Sequence, residues 1–291
     1  MRIISYSLFG YDKERFAGCD TFHSYLRGLM INVRLAKLLF PEWKIRVHMD
    51  NATYTGLQRF WELLSSNIHA NEIQIVKCDD AELTKAMLWR LKPAYDKEVT
   101  MFICRDTDAP LTYRDAQAVK EWELSPKQAH AITDSVSHTI PMMGGMIGFK
   151  TKYFKDYVKQ DTWLHLVNQG GGYHVKGADQ DFLGAHVYPK FAGENSSIMQ
   201  HYYLGMRNTF IDGYLTCSCV SVQGHKEDCP RNIKLNLPDA YKETNLICGH
   251  IGAAGNYEVP TYNFLGKHYD KFEGIRKAED LHRPEIFNWN I

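Results

Sequence analysis

The stretch Val99-Thr100-Met101-Phe102-Ile103-Cys104-Arg105-Asp106-Thr107-Asp108 decides the fold class of this 291-residue chain. Its first six residues are apolar or β-branched without alternation, which is typical of a central strand of a parallel sheet. Two carboxylates follow shortly after that strand. Because ligands of open α/β sheets bind at the carboxyl ends of the strands, the stretch predicts a buried strand that leads into a ligand site.

Upstream of this strand, strand patterns alternate with helix patterns, which predicts a parallel sheet with helices on both faces. After Lys150 the alternation weakens, and we expect the second half of the chain to extend the same sheet. The other predicted strands are Ile3–Phe9, Lys44–Met49 and Glu72–Val76, and the predicted helices are Thr21–Phe40, Thr53–Leu64 and Thr84–Leu91, the last ended by Pro93.

The composition is that of a globular chain, with 44% hydrophobic and 23% charged residues. Lysine plus arginine and aspartate plus glutamate both number 34, which disfavours nucleic-acid binding through bulk charge. No apolar run is long enough to span a membrane, and the first strand leads into charged residues at Asp12–Arg15. We therefore expect no membrane insertion, no signal peptide and a cytoplasmic location, in the host cytoplasm if the chain is viral.

The seven cysteines are odd in number, and four of them stand far apart, which favours reduced thiols. A cluster near the carboxyl terminus is the exception, because it would form a zinc site together with one later residue. Its C-x-C spacing fits structural zinc less well than C-x-x-C, so free thiols are the preferred interpretation. The cluster comprises Cys217, Cys219, His225 and Cys229, and the later residue is Cys248 or His250.

Asp106 and Asp108 form a D-x-D motif just past the buried strand. Residues two apart in an extended segment point the same way, so both carboxylates would face one cation. Hard oxygen ligands suit Mg²⁺ or Mn²⁺, which keep open positions for substrate phosphates. The alternative is two solvated acids in a loop, since D-x-D occurs often by chance.

Three further motifs are candidates for the same site, each with a structural alternative, which for the lone histidine is a local hydrogen bond. Gly144 and Gly145 interrupt an apolar run, and glycine in a strand indicates either a bulge or the close approach of a backbone or ligand. Asp179-Gln180-Asp181 stands immediately before a predicted helix, where helix capping would explain only Asp179. His250 lies in a glycine-rich loop and is a candidate third ligand to the D-x-D cation.

In this order the motifs resemble those of GT-A nucleotide-sugar glycosyltransferases, including bacterial and viral members. The segment Asp179–Leu183 is similar to the D-Q-D-x-L-N signature of the family-8 retaining enzymes, with Gly184 where that signature has asparagine. His250–Gly252 resembles the loop that completes their metal site, although Gly255–Tyr257 replaces the lysine-proline-tryptophan that follows there. The D-x-D strand, the helix pattern Leu111–Trp122 and the Gly144–Met146 strand complete the resemblance.

The resemblance implies a GT-A type, Rossmann-like mixed sheet flanked by helices. Residues 1–291 would form a single catalytic domain, with the nucleotide half in 1–110 and the sugar and acceptor half in 111–291. It further implies a metal-dependent transferase that takes a sugar from a nucleoside-diphosphate sugar, with uridine as the default base and with retention of configuration.

The residues that would carry this activity follow from the same resemblance. Asp106, Asp108 and His250 would hold Mn²⁺ or Mg²⁺. Asp179, Gln180 and Asp181 would orient the sugar at its reacting face. The base and ribose of the donor would contact Tyr6 and Ser7, and its phosphates would contact Arg90 and Arg105. The other residues expected to contact the donor are Asp106, Gly144 and Gly145.

The acceptor and two rival functions remain open. The acceptor hydroxyl would belong to a glycan or to a hydroxymethylated base in phage DNA, the latter reached by base flipping. The rivals are a D-x-D phosphohydrolase, for which Pro110 stands where threonine or valine is usual, and a non-catalytic nucleotide-sugar-binding protein. The lysine and arginine runs that would contact DNA, or simply be solvated, are Lys150, Lys152, Lys155 and Lys159, and Arg276, Lys277 and Arg283.

Overall fold

In the part of the chain that the structure describes, seven strands form a single mixed sheet. The computed structural model describes residues 1–11, 20–58, 61, 73–109, 111, 113–133, 142–169, 177–192 and 196–202. The strands are β1 (Arg2–Ser7), β2 (Trp43–Met49), β3 (Ile73–Lys77), β4 (Met101–Arg105), β5 (Ala129–Thr133), β6 (Met146–Lys150) and β7 (Ile198–Tyr202).

The sheet order is β3-β2-β1-β4-β6-β5-β7. The first four strands in this order are parallel, and β6 runs antiparallel to both β4 and β5. The last strand, β7, pairs parallel to β5. The predicted mixed α/β sheet is therefore confirmed, and the strands that follow residue 110 extend the sheet formed by those before it.

The helices connect and cover these strands. None of the described helices is long and apolar enough to cross a membrane. They are α1 (Asp20–Leu39), α2 (Asn51–Gly56), a 3₁₀ helix (Asp80–Tyr95), α3 (Tyr113–Leu124), α4 (Thr151–Val158), α5 (Trp163–Val167), α6 (Ala178–Phe182), a π-helical turn (Leu183–Val187) and α7 (Tyr188–Phe191).

Each face of the sheet buries its own apolar layer, because successive side chains of a strand point to opposite faces. On β4, Ile103 packs into the layer that contains Val33 of α1 and Trp122 of α3. Its neighbour Phe102 packs into the opposite layer, with Phe154 of α4. Helices therefore cover both faces, as the strand and helix alternation predicts.

The 3₁₀ helix corrects one sequence prediction, since Pro93 lies inside it and does not end it. A 3₁₀ helix bonds each N–H to the carbonyl three residues back, so Pro93 leaves the Arg90 carbonyl without a helical donor. The thiol of Cys104 on β4 donates to that carbonyl at 3.3 Å. Contact with the sheet thus supplies the hydrogen bond that proline removes.

The strand order places a crevice at the carboxyl ends of β1 and β4. The chain leaves β1 toward β2 on one side of the sheet and leaves β4 toward β5 on the other, so the connections after β1 and β4 run in opposite directions. Open α/β sheets bind ligands at such a switch point. Ser7 ends β1 and Asp106 follows β4, so both stand at this crevice.

Candidate functional site

The D-x-D motif forms a tight turn directly after β4. The Ala109 N–H donates to the Asp106 carbonyl at 3.3 Å and closes the turn. Asp106 and Asp108 are half-buried, and Thr107 between them is buried. The motif is therefore not the extended segment that we expected, and the turn, not strand alternation, sets the direction of the carboxylates.

Both carboxylates act on one tyrosine of α1. Burial raises the pKa of Tyr25, and the negative charges of Asp108 and Asp106 raise it further. The two aspartates are thus close enough to influence the same hydroxyl from their turn. Tyr25 lies within the predicted helix Thr21–Phe40, and no motif of the sequence marks it as a site residue.

Arg90 of the 3₁₀ helix joins two of the predicted motifs. Its Nη1 donates to Asp106 Oδ1, and its Nη2 donates to Asp179 Oδ2 at 2.6 Å. Burial alone would lower the pKa of Arg90, but the charges of Asp106 and Asp179 more than offset burial and raise it. The backbone N–H of Arg90 also donates to Ser7 Oγ at 3.1 Å, which fixes the helix to the end of β1.

Asp179 is the most buried member of this cluster, with 3% of its side chain exposed. It lies within α6 and does not cap it, since Gly177 is the residue before the first turn. A buried carboxylate needs a counterion, and the Arg90 guanidinium supplies it. Arg90 therefore connects Asp179 of the D-Q-D motif to Asp106 of the D-x-D motif.

The glycine pair leaves room for these side chains. Gly144 and Gly145 lie in the turn before β6 and not within a strand, which corrects the expected placement. A Cβ at Gly145 would lie 2.0 Å from Asp106 Oδ2, and one at Gly144 would lie 2.1 Å from Asp179 Oδ2. No larger residue fits at either position without displacing a carboxylate, so the pair does mark a close approach.

Only one residue of the D-Q-D motif enters the cluster. Gln180 is half-buried and Asp181 is exposed. Within α6, residues two apart lie about 200° apart around the axis, so Asp179 and Asp181 face opposite sides. The shared orientation of all three side chains toward a sugar, which the motif suggests, does not arise in this helix.

Two residues that we predicted to contact the nucleotide-sugar donor are buried within the fold. Arg105 makes two hydrogen bonds to buried Asp115, at 2.8 and 2.7 Å, and its Nη1 donates to the carbonyls of Cys104 and Ile147. Tyr6 is fully buried in the apolar layer beneath α1, and burial raises its pKa. Arg105 is thus occupied within the fold, and Tyr6 is closed to a base or ribose.

The fit to a divalent cation depends on oxygen donors. Asp106 and Asp108 supply hard ligands at the edge of the sheet, as Mg²⁺ or Mn²⁺ requires. Within the described part of the chain, no group of three or more metal-binding side chains converges. His250 and the candidate zinc residues from Cys217 to Cys248 lie outside the described residues, whereas Cys78 and Cys104 are buried free thiols.

Comparisons with known proteins find a distant structural similarity. No family model matches the chain, and no curated protein is similar to it in sequence. The fold is similar to that of 4-diphosphocytidyl-2C-methyl-D-erythritol synthase from Anaerococcus prevotii, with a TM-score of 0.36 and 10% identity. The match covers 60% of this chain and 76% of that protein.

Proposed function

We propose that the protein is a metal-dependent glycosyltransferase that moves a sugar from a nucleoside-diphosphate sugar to a hydroxyl acceptor. One observation carries the proposal: Arg90 links the carboxylates of Asp106 and Asp179 beside two glycines. These residues come from motifs far apart in the sequence, yet they meet at the crevice where α/β sheets bind ligands. The resemblance in motif order to GT-A enzymes supports the same conclusion.

Asp106 and Asp108 would hold Mn²⁺ or Mg²⁺, with His250 as the proposed third ligand. When bound, such an ion neutralises negative charge that develops on a departing diphosphate, an effect of several kcal/mol. The transition state of glycosyl transfer is oxocarbenium-like and leaves that charge on the leaving group. UDP is the proposed leaving group by analogy with related enzymes alone.

Arg90 would then contact the donor diphosphate by exchanging its solvent-exposed bond to Asp106 for one to a phosphate oxygen, while Asp179 stays bonded to the guanidinium. Its guanidinium keeps its positive charge in a buried setting, because two carboxylates offset the cost of burial. Arginine binds phosphate through paired, charge-assisted hydrogen bonds. The side chain stands next to Asp106, so a diphosphate held at the D-x-D carboxylates would lie within its reach.

We propose that Asp179 orients Arg90 toward the donor. Its carboxylate is held by Arg90 and approached by the Gly144 backbone, and 3% of its side chain is exposed, so its position is set before a donor arrives. Direct contact of Asp179 with the sugar stays a prediction from the motif. Retention of the anomeric configuration stays a prediction from the D-Q-D resemblance.

The acceptor is a glycan or a hydroxymethylated base in DNA. Two of the four lysines proposed for DNA are engaged within the fold, since Lys150 donates to the Ser125 carbonyl at 2.6 Å and Lys155 lies over the Tyr95 ring. This arrangement favours a glycan. A DNA acceptor predicts activity that falls steeply with salt, and a neutral glycan predicts activity that does not.

Release of nucleoside diphosphate tests the proposal. A panel of UDP-, GDP-, CDP- and ADP-sugars with glycan and hydroxymethylated DNA acceptors, with and without Mn²⁺, should give a sugar product for at least one donor. Asp106→Asn should abolish that product, whereas Asp156→Asn, an exposed change on α4, should not. Release of inorganic phosphate with no sugar product would instead identify a phosphohydrolase.

A further inference from the structure

Asn32 is a buried polar residue in the middle of α1, on the helix face that packs against the sheet. Its side chain is fully buried. Its Nδ2 donates to the Ala109 carbonyl at 2.9 Å, with the carbonyls of Thr107 and Asp106 at 3.4 and 3.5 Å. Its Oδ1 accepts the backbone N–H of Leu111 at 2.8 Å.

All four contacts go to the segment that contains the D-x-D motif. A buried amide is costly unless its donors and acceptor are satisfied, and here the carbonyls of Asp106, Thr107 and Ala109 and the N–H of Leu111 satisfy both its donor and its acceptor atom. These hydrogen bonds hold the turn through its backbone atoms, and the Asp106 carboxylate bonds to Arg90 instead. Asn32 is therefore coupled to the conformation of the turn and touches neither carboxylate.

We propose that Asn32 is a positioning residue that holds the D-x-D turn in the conformation in which Asp106 and Asp108 bind a divalent cation. The inference rests on the proposed function, because it assumes that the D-x-D carboxylates bind metal. Two carboxylates bind one ion well only when their separation is set in advance. Residues that orient metal ligands typically contribute about 10- to 100-fold in metal affinity.

Uptake of Mn²⁺ provides the test, measured by the loss of the free-ion electron paramagnetic resonance signal in the presence of UDP. Asn32→Ala should raise the Mn²⁺ concentration at half-saturation about tenfold or more. Val33→Ala is the matched control, since Val33 is equally interior on α1 and packs in the apolar layer. The control should lower thermal stability and leave the Mn²⁺ midpoint unchanged.

Asn32→Asp separates positioning from packing, and it covers the case in which the alanine variant does not fold. A carboxylate keeps the shape and still accepts the Leu111 N–H, but it donates to the Ala109 carbonyl only when protonated. The Mn²⁺ midpoint of this variant, divided by that of the wild type at the same pH, should therefore be high where the new carboxyl is ionised and fall toward one as it is protonated, and an NMR titration of that carboxyl locates the pH range. A ratio that stays near one with the carboxyl ionised would contradict the proposed donor role.

The outcomes distinguish this inference from the proposed function. A wild-type protein that takes up no Mn²⁺ with UDP, GDP, CDP or ADP would overturn both. Wild-type uptake that Asn32→Ala leaves unaltered, or alters no more than Val33→Ala does, would overturn the inference alone. Wild-type uptake that weakens only in the Asn32 variants would support both.

Discussion

Arg90 is the residue on which the candidate site depends, because its guanidinium bonds to both acidic motifs. Its partners differ in surroundings: 3% of the Asp179 side chain is exposed, against 45% of the Asp106 side chain. The bond to Asp179 is therefore the one that carries stability, while the bond to Asp106 lies where solvent and a ligand reach it.

Replacing Arg90 should destabilise the fold. Arg90→Met would leave the buried Asp179 carboxylate without a counterion, which typically costs about 3–5 kcal/mol. Chemical denaturation measures the loss. The double variant Arg90→Met with Asp179→Asn should recover part of it, since no buried charge remains. An Arg90→Met protein as stable as the wild type would contradict the described pairing.

A side chain at Gly145 should displace the Asp106 carboxylate and disturb the site. In Gly145→Ala the new Cβ would meet the Asp106 carboxylate at 2.0 Å, so that carboxylate must move. We expect loss of Mn²⁺-dependent UDP binding in a protein that still folds. Gly184→Ala is the control, because nothing lies within 4 Å of a Cβ there. Equal UDP binding by the two variants would be inconsistent with the proposed site.

At the scale of single elements, the strands and long helices follow from periodicity, and the exceptions have local causes. β4 and α1 are predicted within a few residues, since their apolar patterns match the layers that they bury. The bounds of the 3₁₀ helix are not predicted, because the Cys104 thiol on β4 bonds to the carbonyl that Pro93 leaves without a helical donor. Propensity rules consider only the residues of the element itself.

The bond between the Cys104 thiol and the Arg90 carbonyl predicts a specific energetic coupling. Cys104→Ala should destabilise the protein by about 1–3 kcal/mol, since it leaves a buried carbonyl without a partner. The loss should be smaller in a Pro93→Ala background, where a backbone N–H becomes available to that carbonyl. A double-mutant cycle by denaturation measures the difference, with Cys78→Ala as the matched thiol control. Additive effects of Cys104→Ala and Pro93→Ala would contradict the coupling.

The candidate site was only partly predictable for a related reason. D-x-D, the glycine pair and D-Q-D each stand out in the sequence, but the contacts between them depend on strand order, which no local pattern contains. Arg105 and Arg90 looked alike as phosphate ligands. The fold separates them, because Asp115 pairs with Arg105 on the other face of the sheet. The role of Asn32 is marked in the sequence only by its being a polar residue on the apolar face of α1.

At the scale of the whole molecule, buried histidines predict loss of stability in acid. Burial lowers the pKa of His48 to about 3, although a hydrogen bond to the Tyr6 carbonyl opposes this. Burial and the neighbouring His201 and Arg105 lower the pKa of His130 well below its usual value. Both histidines are thus neutral in the folded protein and bind protons readily only after unfolding.

The unfolding free energy should therefore fall as the pH drops below about 6.5, the pKa of an unfolded histidine, and continue to fall toward pH 3. Each histidine contributes a slope of up to about 1.4 kcal/mol per pH unit. Denaturation at several pH values measures the slope. His48→Gln should reduce it, and stability that stays constant between pH 7 and pH 5 would contradict the burial of neutral histidines.

The central claim is that the D-x-D turn binds a metal ion and a nucleoside diphosphate together. Titration calorimetry of UDP, with and without Mn²⁺, on the wild type and on Asp108→Ala tests it most directly. We predict Mn²⁺-dependent binding to the wild type that disappears in the variant. Repeating the titration with GDP, CDP and ADP extends the test to other nucleotides. No binding of any of the four, with or without Mn²⁺, would contradict the glycosyltransferase proposal.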